Sequence, residues 1–399
     1  MITRQESRSG RAIRPELLLL AACAGRQQSE ARETRVRTAA GNIHDWNEFV
    51  AAVHRHRMAA IAWNGLNLAK CALPAHIETT LRATALRDTR QVVKLVAVAA
   101  SMQALFEKAG LSMMIAKGPP LSLLAYGDIS LRQCRDLDVL VKPADILKAR
   151  KILIDAGYHQ NFPEGMDDEA ELELWLWLKK DLAFVSPSGD VIELHSRLQR
   201  NPHLLNEAAL QREPVQLAPN VTVQALAGDD LFIYLCLHGS GHLWERLKWL
   251  ADVAALIEID PSRLPLLWKR ARQEGSAIAV GLALLLCQRL FDTDIPPLIR
   301  NDLGRIRRLR ILEKYSLDRL AHKATGGERK FASTQMLILV ALLRIEPYYL
   351  FHEAIHALVD WRSVAAFGGN KRAVFLSIVL RPFTWSWITI KRLQTKTSA

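Results

Sequence analysis

Along residues 15–98 apolar side chains recur at three- and four-residue spacing, in Pro15–Gly25 and again in Asp45–Lys70. That period marks helices with one buried face. Asp45 stands where an N-cap belongs and Pro74 breaks the run, so the front of the chain reads as a set of helices. Between about Leu111 and Leu198 the pattern changes to short apolar runs separated by helical stretches and turn residues, which indicates an α/β unit. Strands are expected at Leu111–Ala116, Asp136–Val141, Leu182–Val185 and Val191–His195, and a helix over Ala144–Ala156 that Gly157 stops. Ser186-Pro187-Ser188-Gly189-Asp190 reads as the turn joining the last two strands. Beyond Asn201 the strand signal fades. Helical patterns run over Asp229–Ile257, Leu264–Phe291, Pro297–Leu320 and Ser333–Leu358, with Gly326-Gly327 in a surface loop. The expected division is an N-terminal helical region over 1–98, an α/β domain over 99–200 and a C-terminal helical domain over 201–399.

The strand expected at 136–141 carries the informative chemistry. Alternate side chains of a strand share a face, so Asp136 and Asp138 point one way and Leu137, Val139 and Val141 the other. Two carboxylates on one face repel each other unless a cation lies between them, and an oxygen-rich site of this kind suits magnesium. Val191, Glu193 and His195 likewise share a face. If that strand lies beside the first, Glu193 supplies a third carboxylate, and three carboxylates are enough for two metal ions. Upstream, a strand ending at Ala116 turns at Lys117-Gly118 and enters a helix near Pro120, an arrangement whose exposed N–H groups bind phosphate. Arg132 and Arg135, just before the carboxylates, are candidates for pairing with phosphate oxygens.

At 399 residues the chain has room for two or three packed units, and half of it is hydrophobic, which excludes a disordered protein. The net charge of +12 attracts anionic partners such as nucleotides, nucleic acid or an acidic membrane face. Much of that charge lies at the ends, in Arg4, Arg8, Arg11 and Arg14 and in Lys371, Arg372, Lys391, Arg392 and Lys396, so no specific nucleic-acid groove is implied. Five cysteines without a CxxC pair read as reduced core residues of a cytoplasmic protein. The short apolar run near the N-terminus continues as charged helix, so a signal peptide is not expected. Nothing reaches the roughly 18 uninterrupted apolar residues of a membrane span. Ala373–Ile390 comes nearest, split by Arg381-Pro382. Its aromatic and basic residues suit peripheral contact with the inner face of a membrane, while a helix pair packed on the protein body accounts for the same pattern.

Residues 114–158 resemble the bacterial nucleotidyltransferase-family proteins of the DNA-polymerase-β-like superfamily. The pattern positions are held by Lys117, Gly118, Tyr126, Arg132, Asp136, Asp138, Leu140, Val141, Ala149, Leu153, Gly157 and Tyr158. The likeness continues in Val191–Leu198 and in Leu231–Ile257, and weakly in Arg14–Gly25. It implies an α+β nucleotidyltransferase fold, a mixed sheet with flanking helices, set between N-terminal and C-terminal helical regions. It further implies transfer of a nucleoside monophosphate from a nucleoside triphosphate to a hydroxyl-type acceptor, with Mg²⁺ or Mn²⁺ on Asp136, Asp138 and Glu193. The acceptor class stays open among small molecules, peptides, proteins and RNA. Two departures stand out: Pro119 where the superfamily has a second small residue at the phosphate turn, which removes a backbone donor, and Ser196 where relatives often carry an aromatic residue. The first favours an alternative, a nucleotide-binding or scaffold protein with weak turnover that docks to a membrane or a biosynthetic partner.

Other motifs compete. His352–His356 has the H-E-x-x-H spacing of a zinc helix, but no third ligand follows it on a separate element. His238 and His242 sit four apart, with Lys248 and Asp252 further on, and these four together with His195 are expected to line the substrate cleft. Trp175 and Trp177 fall in a stretch read as a helix running into a strand, with core packing as their default role.

Overall fold

The computed structural model describes residues 13–26, 29–321, 339–359, 361–366 and 370–379. The Gly326-Gly327 loop, the first three N-terminal arginines and the basic C-terminal residues from Arg381 onward lie outside the described residues.

Five helices open the described residues: Pro15–Cys23, Glu30–Ala40, Trp46–His56, Ala59–Leu68 and the 34-residue Ala75–Lys108. Asp45 caps the third by accepting from the backbone N–H groups of Asn47 and Glu48, and Pro74 stands at the N-cap of the fifth. That long helix runs unbroken through residues 98 and 99. Its Ile77 and Leu81 pack with the front helices, and Val92 to Phe106 pack on the sheet.

The sheet has seven strands: β1 Met113–Ile115, β2 Asp136–Val141, β3 His159–Phe162, β4 Asp181–Val185, β5 Val191–His195, β6 Arg212–Ala218 and β7 Val221–Leu226. Their order is β3-β4-β5-β2-β1-β7-β6, and the sheet is mixed, with β2/β5 and β1/β7 parallel and the other pairs antiparallel. Leu137, Val139, Ile192 and Leu194 are fully buried and meet Val92, Leu95, Ala99 and Met102 of the long helix in one core. One face of the central strands is thereby closed, and the side chains on the other face remain for chemistry.

Two strands correct the expectation that strands end near residue 198, and a third, β3, lies where no strand is expected. β6 and β7 form a hairpin through Pro219-Asn220, with Asn220 left-handed at φ 63°, and their alternating Val215, Leu217, Val223 and Ala225 complete the sheet core. β3 is a short polar edge strand whose composition gives no strand signal.

The long C-terminal helical patterns also divide. Residues 229–257 become Gly228–Gly241 and Leu247–Ile259, interrupted where Leu243 and Trp244 take φ of 50° and 51°. Residues 264–291 divide at Gly275, 297–320 divide at Ile306, and within 333–358 the described helix is Pro347–Leu358. The turn after Gly241 folds Trp244 back so that its ring fills the place of a side chain at Gly239. The opening helices and the C-terminal ones share a core, in which Leu19 and Leu20 lie with Leu282 and Leu286.

Candidate functional site

Parallel pairing of β2 and β5 sets the register of the site: Asp136 faces Val191, Asp138 faces Glu193 and Leu140 faces His195. Adjacent strands lie about 4.8 Å apart, so Asp138 and Glu193 become lateral neighbours although far apart in sequence. His195 turns its Nε2 toward both, 3.3 Å from Asp138 Oδ1 and 3.4 Å from Glu193 Oε2. From the strand-to-helix turn, Lys117 reaches in with Nζ 3.0 Å from the same Asp138 Oδ1. Gly118 makes that turn with φ 79°, a conformation that a side chain would strain, and Pro119 follows at the first helical position.

Among the described residues, Asp138, Glu193 and His195 form the one group of three whose possible ligand atoms all lie within 4.8 Å of each other. Asp136, on the same face of β2, lines the cleft beside them but is not in that group. The trio drawn from the sequence was Asp136, Asp138 and Glu193; in the structure His195, expected only to line the cleft, closes the cluster.

Charge and burial pull these groups apart. Burial alone would raise the Asp138 carboxyl, but Lys117 and His195 outweigh it and hold it well below the usual range. Asp136 is pushed up by burial and by the charges of Asp138 and Glu193. Glu193 is lowered by its contact with His195. Burial would lower His195, and Lys180 acts the same way, yet the two carboxylates raise it.

The tautomer of His195 follows from its contacts. Lys180 Nζ lies 3.0 Å from Nδ1. As an ammonium it donates to Nδ1, which leaves the ring proton on Nε2 facing the carboxylates. Burial lowers Lys180, and loss of its proton lets Nδ1–H donate to the amine and frees the Nε2 lone pair for a metal. Nε2 is buried and makes no hydrogen bond of acceptable geometry, despite its two close carboxylates. Two carboxylates and an imidazole nitrogen that closes no well-formed hydrogen bond fit a divalent cation.

The cleft above this cluster has a volume of about 590 Å³. Lys117, Gly118, Arg132, His238, His242 and Lys248 line it together with the acidic residues, whereas His195, expected there, is buried and not among the lining residues. Three positions need correction in role. Arg135 is exposed and does not line the cleft. Asp252 is fully buried behind the wall, accepting from Tyr126 Oη at 3.0 Å and from Arg132 Nε at 2.9 and 3.0 Å. Arg132 is therefore neutralised by Asp252 and 4% exposed, so it braces the wall rather than standing free for phosphate. Lys248, one helical turn before Asp252, donates to the Gln133 carbonyl at 3.1 Å; burial pushes it down to about 7.

His238 and His242 pack against Trp249, with ring centroids 5.2 Å away in both cases. Burial keeps both neutral, His242 at about 4. The H-E-x-x-H helix does not assemble a zinc site of that design, because Glu353 is buried and accepts from Arg200 and Asn201, each at 2.9 Å. His352 and His356 pack on each other and on Trp177. Trp175 is a core residue, donating to the Asp181 carbonyl.

Sequence reasoning missed several cleft residues. Arg57 and Lys180 sit at helix C-caps with left-handed φ of 56° and 76°, Tyr234 lies beneath Lys117 with its ring centroid 5.9 Å from Nζ, and Arg200 and Asn201 line the far side. A basic residue just past a helix was the available signal, and it is a weak one.

Residues 42–292 match the profile of a family described as an uncharacterised nucleotidyltransferase. No curated protein matches the chain.

Proposed function

The chain belongs to that uncharacterised nucleotidyltransferase family and is a transferase of that class, and on this premise we propose that it moves a nucleoside monophosphate from a nucleoside triphosphate to a hydroxyl-type acceptor. The observation that carries the reading is the pairing of Asp138 with Glu193 across parallel strands, with His195 between them, at the floor of an open cleft.

Asp138, Glu193 and His195 would hold a divalent cation, which when bound neutralises the triphosphate and polarises its α-phosphorus. The imidazole favours Mn²⁺ over Mg²⁺ relative to an all-oxygen site. Arg57 and Lys179, at the cleft surface, bind and orient the phosphates. In the transfer, the acceptor oxygen bonds to the α-phosphorus, the α–β phosphoanhydride bond breaks, and pyrophosphate leaves with that electron pair. The acceptor proton passes to Asp136, the carboxylate whose affinity for a proton is raised. Lys117 holds Asp138 in place. Tyr234, His238, His242 and Trp249 supply a less polar wall for the base or the apolar part of the acceptor.

The test is label transfer from an α-labelled nucleoside triphosphate with Mg²⁺ or Mn²⁺, alongside released pyrophosphate. Asp138→Ala and Glu193→Gln should each abolish both signals. Glu193 is half-exposed, so its variant should fold even if the first does not. Undiminished transfer by a folded Glu193→Gln protein would overturn the reading. Nucleotide binding by the wild-type protein without pyrophosphate release would favour the binding or scaffold alternative, which the paired Pro119 and Pro120 at the helix start support by removing two N–H donors.

A further inference from the structure

No helix among the described residues is long and apolar enough to cross a membrane, yet one part of the surface is unusually apolar. On the helix Pro347–Leu358 the exposed positions are Pro347, Tyr348, Leu350, Phe351, Ala354 and Leu358, none of them charged. Tyr348 is 77% exposed and Phe351 67%. The orientation is fixed from the other side. Tyr349 is fully buried with its hydroxyl on the Val340 carbonyl at 2.9 Å, and Glu353 is tied to Arg200 and Asn201.

The neighbouring helix Lys371–Val379 repeats the pattern. It packs on the first, buries Ala373, and exposes Phe375, Leu376 and Val379 beside Arg372. Single exposed apolar side chains are ordinary, but two packed helices that each expose several of them mark a contact surface.

The charge along this stretch of sequence selects the occupant. After Asp360 the sequence contains no acidic residue, while Arg362, Lys371, Arg372, Arg381, Lys391, Arg392 and Lys396 follow. Trp385 and Trp387 lie among them. An exposed aromatic and aliphatic face that includes Arg372, on a stretch of sequence whose only charges are basic, matches the two layers of an anionic lipid surface, acyl boundary and headgroups. A protein partner would need an apolar patch ringed by acid alone, a narrower requirement. We infer that the face formed by Tyr348, Phe351, Phe375, Leu376 and Val379 docks the protein on an anionic bilayer without spanning it. Glu353, on the inner side of the same helix, lines the reaction cleft, so the docking face and the cleft share one helix.

Flotation of the full chain with vesicles tests this. The protein should float with phosphatidylcholine vesicles containing phosphatidylglycerol, only weakly with phosphatidylcholine alone, and less as salt is raised. Phe351→Glu/Phe375→Glu should lower the partition coefficient by about tenfold or more, and Arg372→Glu by about fivefold, with unchanged melting temperatures. Tyr348→Ser is a milder second variant should the double one unfold. Absence of flotation with anionic vesicles, or equal flotation by the folded variants, overturns the inference. So does light scattering that finds a dimer which Phe351→Glu/Phe375→Glu dissociates, because the face then belongs to a second copy of the chain.

Discussion

Asp252 accepts the Nε–H of Arg132 with both carboxylate oxygens, at 2.9 and 3.0 Å, across 120 residues of sequence. Arg132 lies in the segment that leads into β2, and Asp252 on the helix Leu247–Ile259. The pair, joined by Tyr126, fastens the carboxylate strand to the helices that form the opposite wall of the cleft. Removing Asp252 leaves a buried guanidinium without its counter-charge. Asp252→Asn should cost about 3–5 kcal/mol in urea unfolding, while Arg132→Met/Asp252→Leu should cost less than the two single changes together.

Asp136 and Asp138 should respond oppositely to loss of charge. Asp136 stands against two other carboxylates and is raised by burial and by them, so its ionised form opposes folding at neutral pH. Asp138 is the partner of Lys117, and its loss strands that ammonium. Asp136→Asn should raise the melting temperature of metal-free protein by about 2 °C and Asp138→Asn should lower it, although both abolish transfer. Differential scanning calorimetry beside the label assay checks both outcomes.

His195 gives the most direct test of the metal set. Mn²⁺ at a hundred times its dissociation constant should stabilise the folded chain by about 2.7 kcal/mol. His195→Gln should remove most of that gain without any nucleotide present, whereas Asp136→Asn should retain much of it, because Asp136 lies outside the three-residue cluster.

Acid should destabilise the protein through its buried histidines. His56 is 1% exposed, and its Nδ1 accepts from the Leu247 N–H at 3.1 Å. Burial first, then Arg55, Arg246 and Arg14, lower it from 6.5 to about 3. Between those values the unfolded chain holds a proton that the folded one lacks. The contribution is therefore complete above pH 6.5 and falls by about 1.4 kcal/mol per pH unit toward pH 3. In denaturant titrations from pH 7 to pH 4, His56→Gln should flatten the slope by that amount.

Gly239→Ala should cost about 2–3 kcal/mol, because its Cβ would overlap the ring of the fully buried Trp244. Thermal unfolding measures it. Trp244→Leu in the same chain should recover part of the loss by opening that space.

The sequence by itself determined the alternation that puts Asp136 and Asp138 on one face of a strand and Glu193 and His195 on one face of another. It also determined the Asp45 cap, the stop at Gly157 and the helical regions on either side of the sheet, because period, capping and turn chemistry are local. Parallel register is not local. Only the tertiary structure placed Asp138 opposite Glu193, brought His195 into contact with both, and drew Arg57 and Lys180 to the rim from helix ends that carry no motif. The same packing withdrew Asp252 and Arg132 into the wall, since a buried arginine must be neutralised by whichever carboxylate the fold brings to it. Strands β6 and β7 escaped notice for a related reason: their short, half-exposed alternation becomes a sheet edge only once β1 offers them a neighbour.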